Sequence, residues 1–140
     1  VKPALLDINV LLALAWPNHQ HHGLAHRWFA RESRHGWATC ALTQLGFIRL
    51  SSNPAYTPSA VSPSEAAGLL EQWVRHPRHS FWESSAASRV GIYERALGHQ
   101  QVNDAWLVDL ARQSGGRVVT FDGRIGLHDA DRSQVTVLSD

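Results

Sequence analysis

Pro3-Ala4-Leu5-Leu6-Asp7-Ile8-Asn9-Val10-Leu11-Leu12-Ala13-Leu14-Ala15-Trp16 is an apolar run interrupted by one charge, and the reading of that charge decides the fold. Residues 3–7 read as a short buried strand that turns at once into a helix through about Trp16. A carboxylate at such a junction needs a cation, a partner charge or several hydrogen bonds, because an isolated buried charge is costly enough to be neutralised instead. Asp7 therefore has two readings: it caps the helix by accepting backbone N–H bonds, or it belongs to an acidic site.

Outward from this run, strands and helices alternate. Pro17-Asn18-His19-Gln20-His21 breaks the first helix, and a second is expected from about His22 to Arg34, with Leu24, Ala25, Trp28 and Phe29 on one face and Gly36 ending it. A strand near residues 37–41, containing Cys40, leads into a helix opened by Thr43 and then into a Ser/Asn/Pro-rich loop through Pro58. Ser62-Pro63-Ser64-Glu65 is a capping box with Pro at the first helical position, so a helix runs from there to about Arg75. A strand near Ser80-Phe81-Trp82 precedes a helical stretch at about residues 85–97. A helix over residues 102–111 then stops at Gly115-Gly116, a strand spans residues 117–121 up to Asp122-Gly123, and Val135-Thr136-Val137-Leu138 forms the last strand. Such alternation predicts an α/β protein with a mostly parallel central sheet and helices on both faces.

The 140 residues and 44% hydrophobic content suit one domain spanning residues 1–140. The formal charge is only +1 and Lys2 is the single lysine, a balance that permits a phosphate-bearing partner without demanding one. The single Cys40 cannot form an intramolecular disulfide and reads as a small core residue. The N-terminal apolar segment is too short for a spanning helix and lacks the basic region and cleavage pattern of a signal peptide, so a cytoplasmic protein without membrane attachment is expected. Without any Met in the chain, Val1 is not expected to be the first translated residue.

In open α/β sheets the functional crevice lies outside the carboxyl ends of the strands, and few of the 12 acids fall there. Asp7 ends the first strand, Asp122 ends the strand 117–121, and Asp104 stands in the first turn of the helix before that strand. Glu32, Glu65, Glu71, Glu83, Glu94, Asp109, Asp129, Asp131 and Asp140 read as helix-surface, capping or loop charges. Three carboxylates in one crevice repel each other unless a divalent cation compensates them, and oxygen ligands suit Mg²⁺ or Mn²⁺. That is the chemistry of metal-assisted phosphodiester cleavage. Singly, each has another reading: Asp104 is a favourable charge at a helix N-terminus, and Asp122 is the acceptor of an Asp-Gly turn.

Leu5-Leu6-Asp7-Ile8-Asn9-Val10-Leu11, Thr43-Gln44-Leu45-Gly46-Phe47-Ile48-Arg49-Leu50, Asn103-Asp104-Ala105-Trp106-Leu107 and Thr120-Phe121-Asp122 resemble the successive motifs of PIN-domain nucleases. Their order, with Ser52-Asn53-Pro54 and Phe81-Trp82, is similar to that of the VapC toxins of bacterial VapBC toxin–antitoxin modules. The resemblance covers nearly the whole chain and rests on the ordered set rather than on any one motif. It implies a three-layer α/β/α PIN-like fold. It also implies a Mg²⁺-dependent endoribonuclease toxin that cleaves structured RNA of the tRNA or rRNA class, forms a homodimer and is silenced by a VapB-like antitoxin. On the same basis Asp7 and Asp104 are the principal metal ligands and Asp122 completes the site, with Asn9 orienting Asp7 or a bound water and Thr120 hydrogen-bonding within the cluster. Gln44 departs from the pattern, since the family commonly carries Glu there. An amide can accept a hydrogen bond or touch a metal, but it has no charge and cannot act as a general base.

Two other readings stand beside this one: a non-catalytic or weakened RNA-binding or interaction module, in which Gln44 has disabled the chemistry, and a metal phosphatase or nuclease for small or DNA substrates. His22 and His26 stand one helical turn apart, as a transition-metal pair would, yet no carboxylate or Cys completes the set in sequence and a polar loop entering a helix explains them. His76, His79 and His99 read as surface residues, Trp28, Trp73 and Trp106 as core, and Arg49, Arg112 and Arg124 as candidates for RNA phosphate contact.

Overall fold

Along the first strand the side chains alternate between two cores, and this alternation fixes the layering. In the computed structural model, which describes residues 1–84, 88–128 and 133–140, Leu5 and Val118 pack on one face of the sheet while Ala4, Leu6 and Val119 pack on the other, all of them buried. Each fully buried Leu or Val contributes about 1.5–3 kcal/mol relative to exposure.

Five strands form the sheet: β1 (Ala4–Leu6), β2 (Trp37–Thr39), β3 (His79–Phe81), β4 (Arg117–Thr120) and β5 (Val135–Val137). Their order is β3-β2-β1-β4-β5 and every pair is parallel, with Leu5 opposite Ala38 on one side and Val118 on the other. Helices α1 (Ile8–Ala15), α2 (His22–Glu32), α3 (Ala41–Ser51) and α4 (Pro63–Val74) precede α5 (Val102–Gln113). Residues of α1 to α4 supply the core around Leu6, and α5 with Ile125 supplies the core around Leu5, giving the three-layer α/β/α arrangement. The chain winds outward from β1 to β3 on one side and then crosses to β4 on the other. The carboxyl ends of β1 and β4 therefore flank the point where strand order reverses, the place where parallel sheets leave a crevice.

Local chemistry accounts for most element boundaries. Ser62 and Glu65 close the expected capping box at the start of α4, with Pro63 at the first helical position. Gly115 turns the chain after α5 at φ +71°, and Gly116 permits a close approach: a Cβ there would lie 2.7 Å from the Pro3 carbonyl oxygen. His22 Nδ1 lies 2.7 Å from the Ala13 carbonyl oxygen and His26 Nε2 lies 2.8 Å from that of Leu14. These rings close the C-terminal end of α1, whose carbonyls have no partner within the helix. Trp28 is buried, and Trp73 and Trp106 pack against the two cores.

Three boundaries differ from expectation. Cys40 is buried but is not a strand residue; it is the N-cap of α3, which begins at Ala41 rather than at Thr43. The reason is the Thr43 hydroxyl, which accepts from the Cys40 N–H at 3.0 Å and donates to the Cys40 carbonyl at 3.1 Å, locking the turn from β2 into the helix. Beyond β3, residues 85–87 lie outside the described residues, as do Asp129 and Asp131. The remainder of the expected helical stretch forms only a 3-10 turn, Val90–Tyr93, with no buried residue and with Val90 86% exposed, so no apolar face stabilises a longer helix. Among the described residues, no helix is long and apolar enough to cross a membrane.

Candidate active site

Asp7 meets its capping reading. It is the N-cap of α1, with Oδ1 accepting from the Ile8 N–H at 2.8 Å, and its Oδ2 accepts from the Thr120 hydroxyl at 2.7 Å. The side chain is only 9% exposed. Burial raises its carboxyl above the usual range, the bonds from Thr120 and Ile8 oppose that rise, and the charges of Asp104 and Asp122 add to it.

Thr120, the last residue of β4, connects the site across the sheet. Its fully buried hydroxyl oxygen accepts from the Asp122 N–H at 2.9 Å and from Asn9 Nδ2 at 3.4 Å while donating to Asp7. Asn9 Oδ1 accepts from the Phe121 N–H at 3.4 Å, so Asn9 braces the end of β4 and reaches Asp7 through Thr120. One Thr hydroxyl thus ties the carboxyl ends of β1 and β4 together.

Asp104 stands in the first turn of α5, half-buried, in a cleft shared with His99, Gln101 and Arg124. Burial raises its carboxyl, the charge of Asp122 raises it further, and Arg124 opposes the rise. Asp122 behaves in the opposite way. Arg124 grips it through its backbone N–H at 2.9 Å and Nε at 3.1 Å, both to Oδ1, and through Nη2 at 3.0 Å to Oδ2. The guanidinium holds the Asp122 carboxyl below its usual range. The turn expected after Asp122 is present, as the backbone bond to Arg124, and the same carboxylate lies within electrostatic reach of Asp7 and Asp104.

Asp7, Asp104 and Asp122 carry the donor type that a hard divalent cation takes, though they do not stand as one ligand set. Asp7 and Asp104 are both shifted upward by burial and by neighbouring negative charge, and all three carboxylates offer oxygen donors. Among the described residues, no three carboxylate, imidazole or thiolate side chains are gathered closely enough to hold one ion as they stand.

Among the described residues, Gln44 on α3 makes no side-chain hydrogen bond to Asp7, Asp104 or Asp122. Its amide donates to Thr39 Oγ1 at 3.0 Å, and the same hydroxyl is 2.8 Å from His79 Nε2. His79 is therefore half-buried and bonded at the end of β2, not the surface residue expected; burial lowers its pKa, and a hydrogen bond to the Val74 carbonyl partly opposes this. His76 is likewise engaged, by the Trp37 indole N–H at 3.3 Å, whereas His99 is exposed.

Asp109 was expected on the helix surface but is 5% exposed, and it accepts from Arg112, from Arg89 at 3.4 Å and from Gln113 at 2.6 Å. Its place one turn beyond Ala105 on the buried side of α5 is the signal that periodicity alone offered. That pairing engages Arg112, and Asp122 engages Arg124, while Arg49 lies exposed on α3. His128 is buried, with neither ring nitrogen hydrogen-bonded among the described residues, and no sequence pattern singles it out.

The architecture and this constellation define an α/β/α domain of the PIN type, and comparison with known proteins agrees. The PIN domain model matches residues 4–132. Over 125 residues the chain is 41% identical to Ribonuclease VapC39 of Mycobacterium tuberculosis, covering 87% of this chain and 90% of that protein. It is 41% identical to Ribonuclease VapC38 and 42% identical to Ribonuclease VapC44 of the same organism, covering 87% and 89% of this chain and 86% and 89% of those proteins. A domain of a functionally unknown protein from Methanocaldococcus jannaschii shares the fold, with a TM-score of 0.57 at 15% identity over all of this chain and 93% of that one. The chain belongs to the PIN-domain family, in its VapC group.

Proposed function

We propose that this chain is the toxin of a VapBC-type pair, a divalent-metal-dependent endoribonuclease that cleaves structured RNA of the tRNA or rRNA class and is silenced by a VapB-like antitoxin. The observation that carries the reading is the Thr120 hydroxyl, which joins Asp7 to the Asp122 backbone where strand order reverses, in a chain whose relatives are named ribonucleases. Asp7, Asp104 and Asp122 would hold Mg²⁺, or Mn²⁺ in its place. A cation bound there supplies charge compensation for the phosphate and lowers the pKa of water.

The protein's own groups do the remaining work. Thr120 and the Ile8 N–H hold Asp7 in one orientation and oppose the rise that burial imposes on its carboxyl. Asn9 and the Asp122 N–H fix the Thr120 hydroxyl so that its proton goes to Asp7. Gln44, neutral and donating to Thr39, contributes no charge and serves no acid–base role. With the 3′-oxygen as leaving group, as the PIN-family resemblance implies, water attack on phosphorus leaves a 5′-phosphate and a 3′-hydroxyl. The enzyme acts as a homodimer in the cytoplasm, where its RNA resides.

Incubating the purified chain with total tRNA and ribosomal RNA, with Mg²⁺ or with EDTA, tests this. Site-specific cleavage that requires the metal and disappears in Asp7→Asn supports the reading. Binding of the same RNA without cleavage at any Mg²⁺ or Mn²⁺ concentration overturns it in favour of the interaction module that the neutral Gln44 suggests.

A further inference from the structure

The Arg124 side chain is 73% exposed, and its contacts to one residue cover nearly all that this residue offers. A carboxylate has about four lone-pair sites. Three on Asp122 are taken by the Arg124 backbone N–H, Nε and Nη2, at 2.9, 3.1 and 3.0 Å. The backbone contact belongs to a local turn, but the two guanidinium contacts form a planar fork that also matches a phosphate. Asp104 lies across the same cleft, close enough for the guanidinium charge to lower its carboxyl's tendency to hold a proton. The other two acids have no such cation on them: Asp7 is met by a hydroxyl and an amide, and Asp104 makes no salt bridge among the described residues.

We propose that Arg124 is a phosphate-operated latch on the candidate metal site: without RNA its guanidinium occupies Asp122, and an RNA backbone phosphate draws the fork away and frees Asp122 as a ligand. The proposal rests on the metal-site reading above. An exposed guanidinium has the freedom to move, since side-chain rotation alone carries it from carboxylate to phosphate, and the Arg124–Asp122 backbone bond keeps the turn in place meanwhile. Arg124 is thus a positioning residue that couples phosphate binding to cation binding. Coupling of this kind is reciprocal, so the phosphate and the cation each strengthen binding of the other.

Mn²⁺ affinity, read by electron paramagnetic resonance on the protein without RNA, tests the latch directly. Arg124→Ala should bind Mn²⁺ about tenfold tighter than wild type, because an added ligand charge is released at the site. The gain should vanish in Arg124→Ala/Asp122→Asn relative to Asp122→Asn. Arg124→Lys, which keeps the charge and loses the fork, should lie between wild type and Arg124→Ala. A short DNA oligonucleotide, as a phosphodiester probe, should tighten Mn²⁺ binding in wild type by a larger factor than in Arg124→Ala. Unchanged Mn²⁺ affinity in Arg124→Ala overturns the latch, as does a gain that persists in the double variant, which would make Arg124 a remote charge. Those outcomes leave the metal site standing wherever wild-type Mn²⁺ binding depends on Asp7. Absence of any Asp7-dependent Mn²⁺ binding in all of these proteins overturns both.

Discussion

The Thr120 hydroxyl donates to Asp7 Oδ2 at 2.7 Å across the seam between β4 and β1, and it is the contact through which the two halves of the candidate site share one geometry. Because the same oxygen accepts from the Asp122 N–H and from Asn9, its removal leaves a carboxylate and two donors short of a partner. Thr120→Val keeps the shape and deletes the hydroxyl, and should destabilise the fold by about 1–3 kcal/mol in denaturant unfolding. It should also weaken Mn²⁺ binding, whereas Thr120→Ser restores both. A valine variant equal to wild type in both measurements would show that the bridge contributes neither to stability nor to the site.

Asp7 carries two tasks that different substitutions separate. Asn is as good an N-cap as Asp, so Asp7→Asn should keep the start of α1 and the unfolding midpoint near wild type while lowering RNA cleavage by about 10²-fold or more. Asp7→Ala loses the cap as well and should cost about 1 kcal/mol of stability in addition. Full cleavage by Asp7→Asn would remove Asp7 from the chemistry and leave it a cap.

Sequence reveals elements whose boundaries are chemical. The Ser62–Glu65 box and the Gly115-Gly116 stop stand where side-chain chemistry puts them, and the charge in the first apolar run marks the end of β1. What sequence could not reveal depends on side chains that meet only in three dimensions. Thr39 and His79 are 40 residues apart and touch because β2 and β3 are neighbours in the sheet. Asp109 reads as one more helix charge until Arg89, from outside α5, closes over it. Arg124 was legible as a candidate for phosphate contact, but its grip on Asp122 depends on a turn whose side-chain rotamers no pattern encodes.

Acidification of the metal-free protein should report the burial of Asp7. Burial holds its carboxyl above the ordinary value in the native state, so between the two values the native protein binds a proton that the unfolded chain has released. The destabilisation from ionised Asp7 is fully present above the raised value and is relieved as pH falls from the raised value to the ordinary carboxylate value. Asp122 and the lowered His19, His79 and His128 act in the opposite direction and are common to wild type and Asp7→Asn. In EDTA, wild type should therefore gain thermal stability relative to Asp7→Asn as pH drops from the raised value to the ordinary carboxylate value. A difference in melting temperature that stays constant across that window would mean that Asp7 is not ionised against its environment.

Gln44→Glu probes both the missing charge and the hydrogen-bond chain at the end of β2. In the wild-type chain the His79 ring hydrogen-bonds to the Val74 carbonyl, which can only accept, and its Nε2 is paired with the Thr39 hydroxyl, whose oxygen in turn accepts from the Gln44 amide. A carboxylate at position 44 reverses the last bond, since it can only accept, and the Thr39 proton cannot then serve both Glu and a neutral His79. A proton added at His79 Nε2 resolves the conflict, so Gln44→Glu should raise the His79 pKa, measured by NMR titration of its ring protons. If the new carboxylate also faces the three acids, RNA cleavage should saturate at a lower Mg²⁺ concentration, because added ligand charge raises affinity at oxygen sites. A raised His79 pKa with an unshifted Mg²⁺ midpoint would place Gln44 in the Thr39–His79 chain alone, remote from the metal. An unchanged His79 would refute the chain itself.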